Sequence, residues 1–273
     1  MLKRSIRISL FAAMVSVSAS FVPSDAAAQD SPVLDRIVET STLRVGMSGD
    51  QPPFNMKARD GEMMGLEVDL ANALAAAMKV ELQIVQKPFA DLLPALEAGE
   101  VDMVMSGMTI TAARSRTVSF VGPYVVSGKS ILTTSAALAA AEAAEDLNES
   151  DIRLVALRNS TSETFVRTYL PEAQLTTVAS YDEAIEMLRT DQTGALVADM
   201  PICVLTVMRY PNAGFATLDQ PLTLEPIGIA VSTSDPQLLN LVRNYITALE
   251  GMGILEALRQ VWFENGAWVA ALP

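Results

Sequence analysis

Apolar residues along this chain switch repeatedly between two rhythms. "LRVGM" (43–47) is an apolar run of strand length, and it is followed by Leu66, Leu70, Ala73, Leu74 and Ala77, which recur at helical spacing. "ELQIV" (81–85) then predicts a strand, "LLPALEA" a helix with Asp91 placed to cap it and Gly99 to end it, and "VDMVM" the next strand. This is a βαβαβ unit. The middle of the chain repeats it with "IRLVAL" (152–157), a helix near 163–170, "LTTV", a helix from Asp182 to Arg189, and "GALVAD" (194–199). The tail returns to "IGIAV" and two helices, 237–250 and 253–263; the first carries Leu238, Leu241, Val242, Tyr245 and Leu249 on one face.

Strands joined by helices in this order predict parallel sheets covered on both faces, a doubly wound α/β architecture whose ligands gather at the carboxyl ends of the strands. Two such units predict two lobes. "YVVSGK" (124–129) and "LTLEP" (222–226) flank the middle block as extended segments. The second lobe, 126–227, therefore reads as an insertion, with a hinge at both ends, into a first lobe made of 29–125 and 228–273. The alanine-rich "AALAAAEAAEDL" (136–147) predicts a surface helix of the second lobe on propensity alone.

Half of the 273 residues are apolar and 19% are charged, the balance of a globular chain with a sizeable core. The first 28 residues stand apart: Lys3, Arg4 and Arg7 precede an apolar run from Ile8 to Val22, and Ala26-Ala27-Ala28 offers a small-residue cleavage site. That is the pattern of a secretory signal peptide, and it points to the periplasm. The run falls short of the roughly 20 residues a spanning helix needs, so no stable membrane insertion is expected. Removing residues 1–28 takes away three cations and Asp25, a net of +2, so the formal charge of −13 becomes about −15. Such a surface repels polyanions, which argues against nucleic acid as a partner. Cys203 is the only cysteine, so no intrachain disulfide forms, and its setting in "ICVLTV" predicts a buried thiol. Histidine is absent, which removes Ser-His-Asp and Cys-His catalysis together with the commonest zinc ligand. No cofactor or metal is expected.

The order "GMSGDQPPF", "GLEVDLANALA", "PFADLLPAL", "GEVDMVMSGMTITAARSRTVSFVGPY", "LRNSTSETF", "GALVADMP" and "EPIGIAVS" resembles the bacterial extracellular solute-binding proteins of family 3, the periplasmic polar amino acid-binding proteins of ABC transporters. The likeness spans most of residues 43 to 265. It implies a type II periplasmic binding protein-like fold, with two lobes joined by two hinge strands that close on one amino acid. It also implies an ABC transporter permease as partner, a monomer, and binding rather than catalysis.

A free amino acid is a zwitterion, so a dehydrated cleft must supply a cation for its carboxylate and an anion for its ammonium. The resemblance places Arg114, in "TITAAR", on the α-carboxylate, where a planar guanidinium can make two parallel charge-assisted hydrogen bonds. It implies Gly107 and Thr109 as backbone or hydroxyl partners beside that arginine. Ser160 and Thr161 are implied near the same carboxylate, before a helix whose positive end favours anions. Asn159 stands where relatives often have glycine, and asparagine tolerates left-handed geometry. Asp199 is implied at the α-ammonium, with a helix N-cap in "DMPICVLTV" as the competing role. Around the ligand's side chain, Ser48 and Gln51 depart from the residue types of many relatives. Asp50 either adds an acidic contact or sets a turn, and Phe89 is pocket wall or core. Glu67 and Asp69 read as charges that polarise the start of a helix, and Trp262 and Phe263 as packing of the last helix. The alternative on the same fold is an exported cyclohexadienyl dehydratase acting on arogenate or prephenate, with Glu163 as general acid.

Overall fold

The computed structural model describes residues 31–273; the expected signal peptide, 1–28, lies outside the described residues. In chain order the strands are β1 Thr42–Met47, β2 Asp50–Gln51, β3 Asn55–Lys57, β4 Met63–Met64, β5 Glu81–Gln86, β6 Met103–Val104 and β7 Val118–Ser127. They continue as β8 Lys129–Thr133, β9 Arg153–Leu157, β10 Gln174–Val178, β11 Ala195–Asp199, β12 Ala216–Thr217 and β13 Glu225–Ser232. The helices are α1 Pro32–Thr40, α2 Leu66–Met78, α3 Phe89–Glu97, α4 Ala136–Ala139, α5 Thr161–Tyr169, α6 Tyr181–Arg189, α7 Met200–Arg209, α8 Pro236–Gly251 and α9 Ile254–Arg259.

Two five-stranded sheets result, in the orders β5-β1-β6-β13-β7 and β10-β9-β11-β8-β12, with a small antiparallel sheet β2-β3-β4 on the first. In each large sheet three consecutive strands are parallel, and the returning strands are antiparallel. Adjacent strand residues point to opposite faces, and both faces are apolar. Met103 packs in one core cluster and Val104 in another; Leu154 and Val155 divide the same way. The cluster shared between the sheets holds Phe89, Leu92 and Val104 of the first lobe with Leu157, Tyr181 and Ile202 of the second. The lobes are thus in contact, with α6 of the second reaching β2 of the first.

The chain changes sheets twice. β7 stays in the first sheet to Ser127 and β8 opens the second at Lys129, while the return is made between β12 and β13. Glu225 pairs with Ser127, so the crossing strands run side by side. A Cβ at Gly128 would lie 2.0 Å from the Thr223 carbonyl oxygen, so only glycine fits where the two crossings touch.

Several local expectations change. α3 begins at Phe89 behind Pro88, so Asp91 lies in its first turn and does not cap it. The alanine-rich stretch is not one helix: α4 ends at Ala139 and a 3-10 turn follows at Ala144–Leu147. The Asp146 carboxylate accepts the Glu142 and Ala143 amides at 3.0 Å, giving the backbone an alternative to continuing the helix.

Candidate functional site

Arg114 opens a 3-10 turn, Arg114–Arg116, just before β7. Its guanidinium lies between the lobes, donating from Nη1 to the Thr109 carbonyl at 2.9 Å and from Nη2 to the Asn159 carbonyl at 3.1 Å. The group also stacks 5.6 Å from the centre of the Phe89 ring, so Phe89 is both core and a wall beside this cation. Burial pulls the guanidinium pKa down to about 10, against the opposing pull of Asp199 and Glu225. Arg116, two residues on, is exposed.

On the opposite lobe the α5 N-terminus faces this arginine. Asn159 adopts φ 59°, the left-handed turn that its side chain tolerates, and delivers its carbonyl to Arg114. Ser160 is the N-cap: its hydroxyl accepts the Glu163 amide at 3.1 Å and donates to the Leu157 carbonyl at 2.6 Å. Thr161 meets Thr109 across the cleft, hydroxyl to hydroxyl at 3.2 Å. Cation and helix dipole converge on one place, which suits a carboxylate.

Asp199 ends β11 and occupies the N-cap position of α7, yet its side chain makes no capping bond. It turns instead to Lys129, whose Nζ lies 2.6 Å from Oδ1 and 3.7 Å from Glu225 Oε2. Lys129 is 1% exposed and Asp199 6%. The two are direct partners across the antiparallel β11–β8 pair, a neighbourhood visible only once that register is known. Lys129 and Glu225 were not among the predicted site residues. The one signal of Lys129 in the sequence is a charge leading into the apolar "SILTT". Arg114, Lys129, Asp199 and Glu225 form a cluster of two cations and two anions around the crossing strands.

The first lobe adds two loops. Ser48 and Gln51, both buried, meet on the Ser106 hydroxyl, which accepts the Ser48 amide at 3.0 Å and donates to the Gln51 side-chain Oε1 at 3.4 Å. Gly107 does not present a free amide, because its N–H is given to Glu67 Oε1 at 2.7 Å. Asp50 reaches the other lobe: Oδ2 accepts the Tyr181 amide at the start of α6 at 3.0 Å. Burial raises the pKa of Asp50. Beside it, Ser48, Asp50, Gln86 and Pro88 of the first lobe and Ala179 and Ser180 of the second line a groove of about 640 Å³.

The two acids do lie in the first turn of α2, where they favour the helix dipole, but neither caps it, and both have further partners. Glu67 is fully buried and bonds to loops, and Asp69 accepts the Trp262 indole N–H at 2.8 Å. That bond fixes the C-terminal helices to the first lobe, where Phe263 also packs edge-on against Phe54 at 5.5 Å.

The sequence profile of the bacterial extracellular solute-binding proteins, family 3, matches residues 43–265. The chain belongs to that family. An L-arginine-binding protein of Pseudomonas aeruginosa is 30% identical over 230 residues, covering 81% of this chain and 87% of that one. Cyclohexadienyl dehydratase of the same organism is 31% identical over 142 residues, 52% of this chain and 53% of that one. In fold, the chain is similar to the crystal structure of the ancestral amino acid-binding protein AncCDT-1, a precursor of cyclohexadienyl dehydratase. The TM-score is 0.77 at 34% identity over 84% of this chain and 99% of that one. The two-lobe α/β architecture is therefore the family's. Among the described residues no helix is long and apolar enough to cross a membrane.

Proposed function

We propose that this protein captures an amino acid as its zwitterion between the two lobes and presents it, closed, to the permease of an ABC importer in the periplasm. The observation that carries this reading is that the Arg114 guanidinium, rooted in the first lobe, spans to the second, bonding the Asn159 carbonyl at 3.1 Å within the field of Asp199, an opposite charge at the end of β11. The ligand carboxylate takes Arg114 and the α5 N-terminus. Its ammonium takes Asp199 Oδ2 and Glu225, because Oδ1 already holds Lys129. The crossings at Gly128 and before Glu225 serve as the hinge, which bounds the lobes close to 126–227. A zwitterion leaves the charge balance of the cluster unchanged, which is what a buried site requires.

Thermal-shift screening of the twenty amino acids, ornithine and citrulline tests the reading. A ligand at 100 times its dissociation constant adds about 2.7 kcal/mol to stability. No shift with any of them would overturn it.

The dehydratase relative keeps a second reading in view, but the carboxylate it needs is engaged. Glu163 Oε2 accepts the Asn159 amide at 2.7 Å and Oε1 pairs with Arg167 at 2.9 Å, one turn along α5. A general acid must be free to protonate its leaving group. Incubation with arogenate or prephenate, followed for phenylalanine or phenylpyruvate, separates the two readings.

A further inference from the structure

Beneath the first-lobe side of the cleft lies a buried carboxylate with more partners than a helix end needs. Glu67, on the first turn of α2, is 0% exposed. Oε1 accepts the Gly107 amide at 2.7 Å and the Tyr124 hydroxyl, and Oε2 accepts the Asn55 side-chain amide at 2.6 Å. Each donor belongs to a different part of the site. Gly107 is in the loop between β6 and Thr109, the loop that leads to Arg114. Asn55 passes the connection on, accepting the Gly49 amide at 2.7 Å and lying 3.5 Å from the Ser106 hydroxyl that holds Ser48. Tyr124 is on β7, the strand that crosses to the second lobe.

We propose that Glu67 is a positioning residue whose carboxylate ties the 48–51 loop, the 106–109 loop and the crossing strand β7 into the geometry that receives the ligand. This rests on the reading that those loops face a bound amino acid. An ionised carboxylate suits the task, since it is acceptor-only and three donors converge on it. Charge-assisted bonds of this kind are roughly twice as strong as neutral ones.

The tether is also sensitive to pH. Burial pushes the Glu67 pKa up to about 7, against the lowering effect of its bonds from Tyr124, Gly107 and Asn55. Of the three groups bonded to it, the Asn55 side chain on β3, the Gly107 amide and the Tyr124 hydroxyl on β7, only the last titrates, and burial holds that phenol well above its ordinary value. Protonating Glu67 puts a fourth hydrogen among three donors. Tyr124 can turn to accept it, but the Gly107 and Asn55 amides cannot. The loops therefore loosen as pH falls through about 7, and ligand affinity falls with them. Stability moves the other way. The folded pKa lies above the unfolded value of 4.5, so the folded state favours the protonated group. That contribution is fully present below 4.5 and is lost as pH rises to about 7. Weaker binding in acid would thus not reflect unfolding driven by this residue.

The test begins on the ligand-free protein. NMR should show the Glu67 carboxyl carbon and the Gly107 amide titrating together with one midpoint near neutrality, and Tyr124→Phe should move that midpoint upward by removing a bond to the ionised form. Calorimetry with L-arginine and L-glutamine should then give binding about tenfold weaker at about pH 5.5 than at about pH 8.5, the loss of roughly one charged hydrogen bond. Glu67→Gln, with circular dichroism confirming the fold, should show the weaker affinity at both pH values. A Gly107 amide indifferent to pH, or a Glu67→Gln variant with wild-type affinity and profile, would overturn the proposal. If no amino acid of the thermal-shift screen binds while the carboxyl and amide titrate together, the tether stands and the reading of the ligand is what fails.

Discussion

Lys129→Met is the perturbation that most strains the account of the charge cluster. The lysine stem is buried and methionine replaces most of its volume, so the change is mainly electrostatic. It leaves Asp199, previously 2.6 Å from the ammonium, as a buried anion, with Glu225 beside it. Removing one partner of a buried pair costs roughly 3–5 kcal/mol. Arg114 feels both carboxylates and offsets part of that cost while the lobes are closed, so the expectation is the lower end, about 3 kcal/mol. Urea unfolding followed by far-ultraviolet circular dichroism reads it. Tryptophan fluorescence is a poorer probe, because Trp262 and Trp268 both pack in the first lobe and Lys129 opens the second-lobe sheet. A variant within about 0.5 kcal/mol of wild type at neutral pH, the scatter of ordinary surface changes, would refute the claim that this lysine balances the cluster.

Three further outcomes follow from single features. The Cys203 thiol is fully buried and its pKa is pushed up to about 12 by burial and by Asp199, so a disulfide reagent at neutral pH should label it only after denaturation; fast native labelling would contradict its placement. Ser160→Ala removes the α5 cap and should cost about 1 kcal/mol in chemical denaturation, with no change expected from a side chain that caps nothing. Gly128→Ala drives a methyl group into the Thr223 carbonyl and should destabilise by at least about 2 kcal/mol or splay the crossing strands, which small-angle scattering with and without ligand would register.

Much of this was legible in the amino-acid pattern because it depends on local rules. Periodicity located β1, α2, β5, β9, α6 and β11 to within a residue or two, and the glycine that relatives often carry at Asn159 pointed to the left-handed backbone found there. What stayed hidden depends on pairing at long range. Lys129 is 70 residues from Asp199 and joins it through strand register. Glu67 sits where an acid at a helix start is ordinary, and only the approach of Asn55, Gly107 and Tyr124 turns it into a hub. The alanine-rich stretch failed for the opposite reason: propensity favoured a helix, and one aspartate bonding to nearby amides broke it.

The central claim is that Arg114 and Asp199 hold opposite ends of one zwitterion, and a calorimetric cycle on the second end tests it most directly. Wild type and Asp199→Asn are each titrated with an amino acid from the screen and with its des-amino analogue. The account predicts that the analogue binds wild type poorly and that its disadvantage shrinks in Asp199→Asn, a coupling of about 1–3 kcal/mol, because the charge it fails to satisfy is gone. Strict additivity across the four titrations would mean that Asp199 serves Lys129 alone and that the ammonium is bound elsewhere.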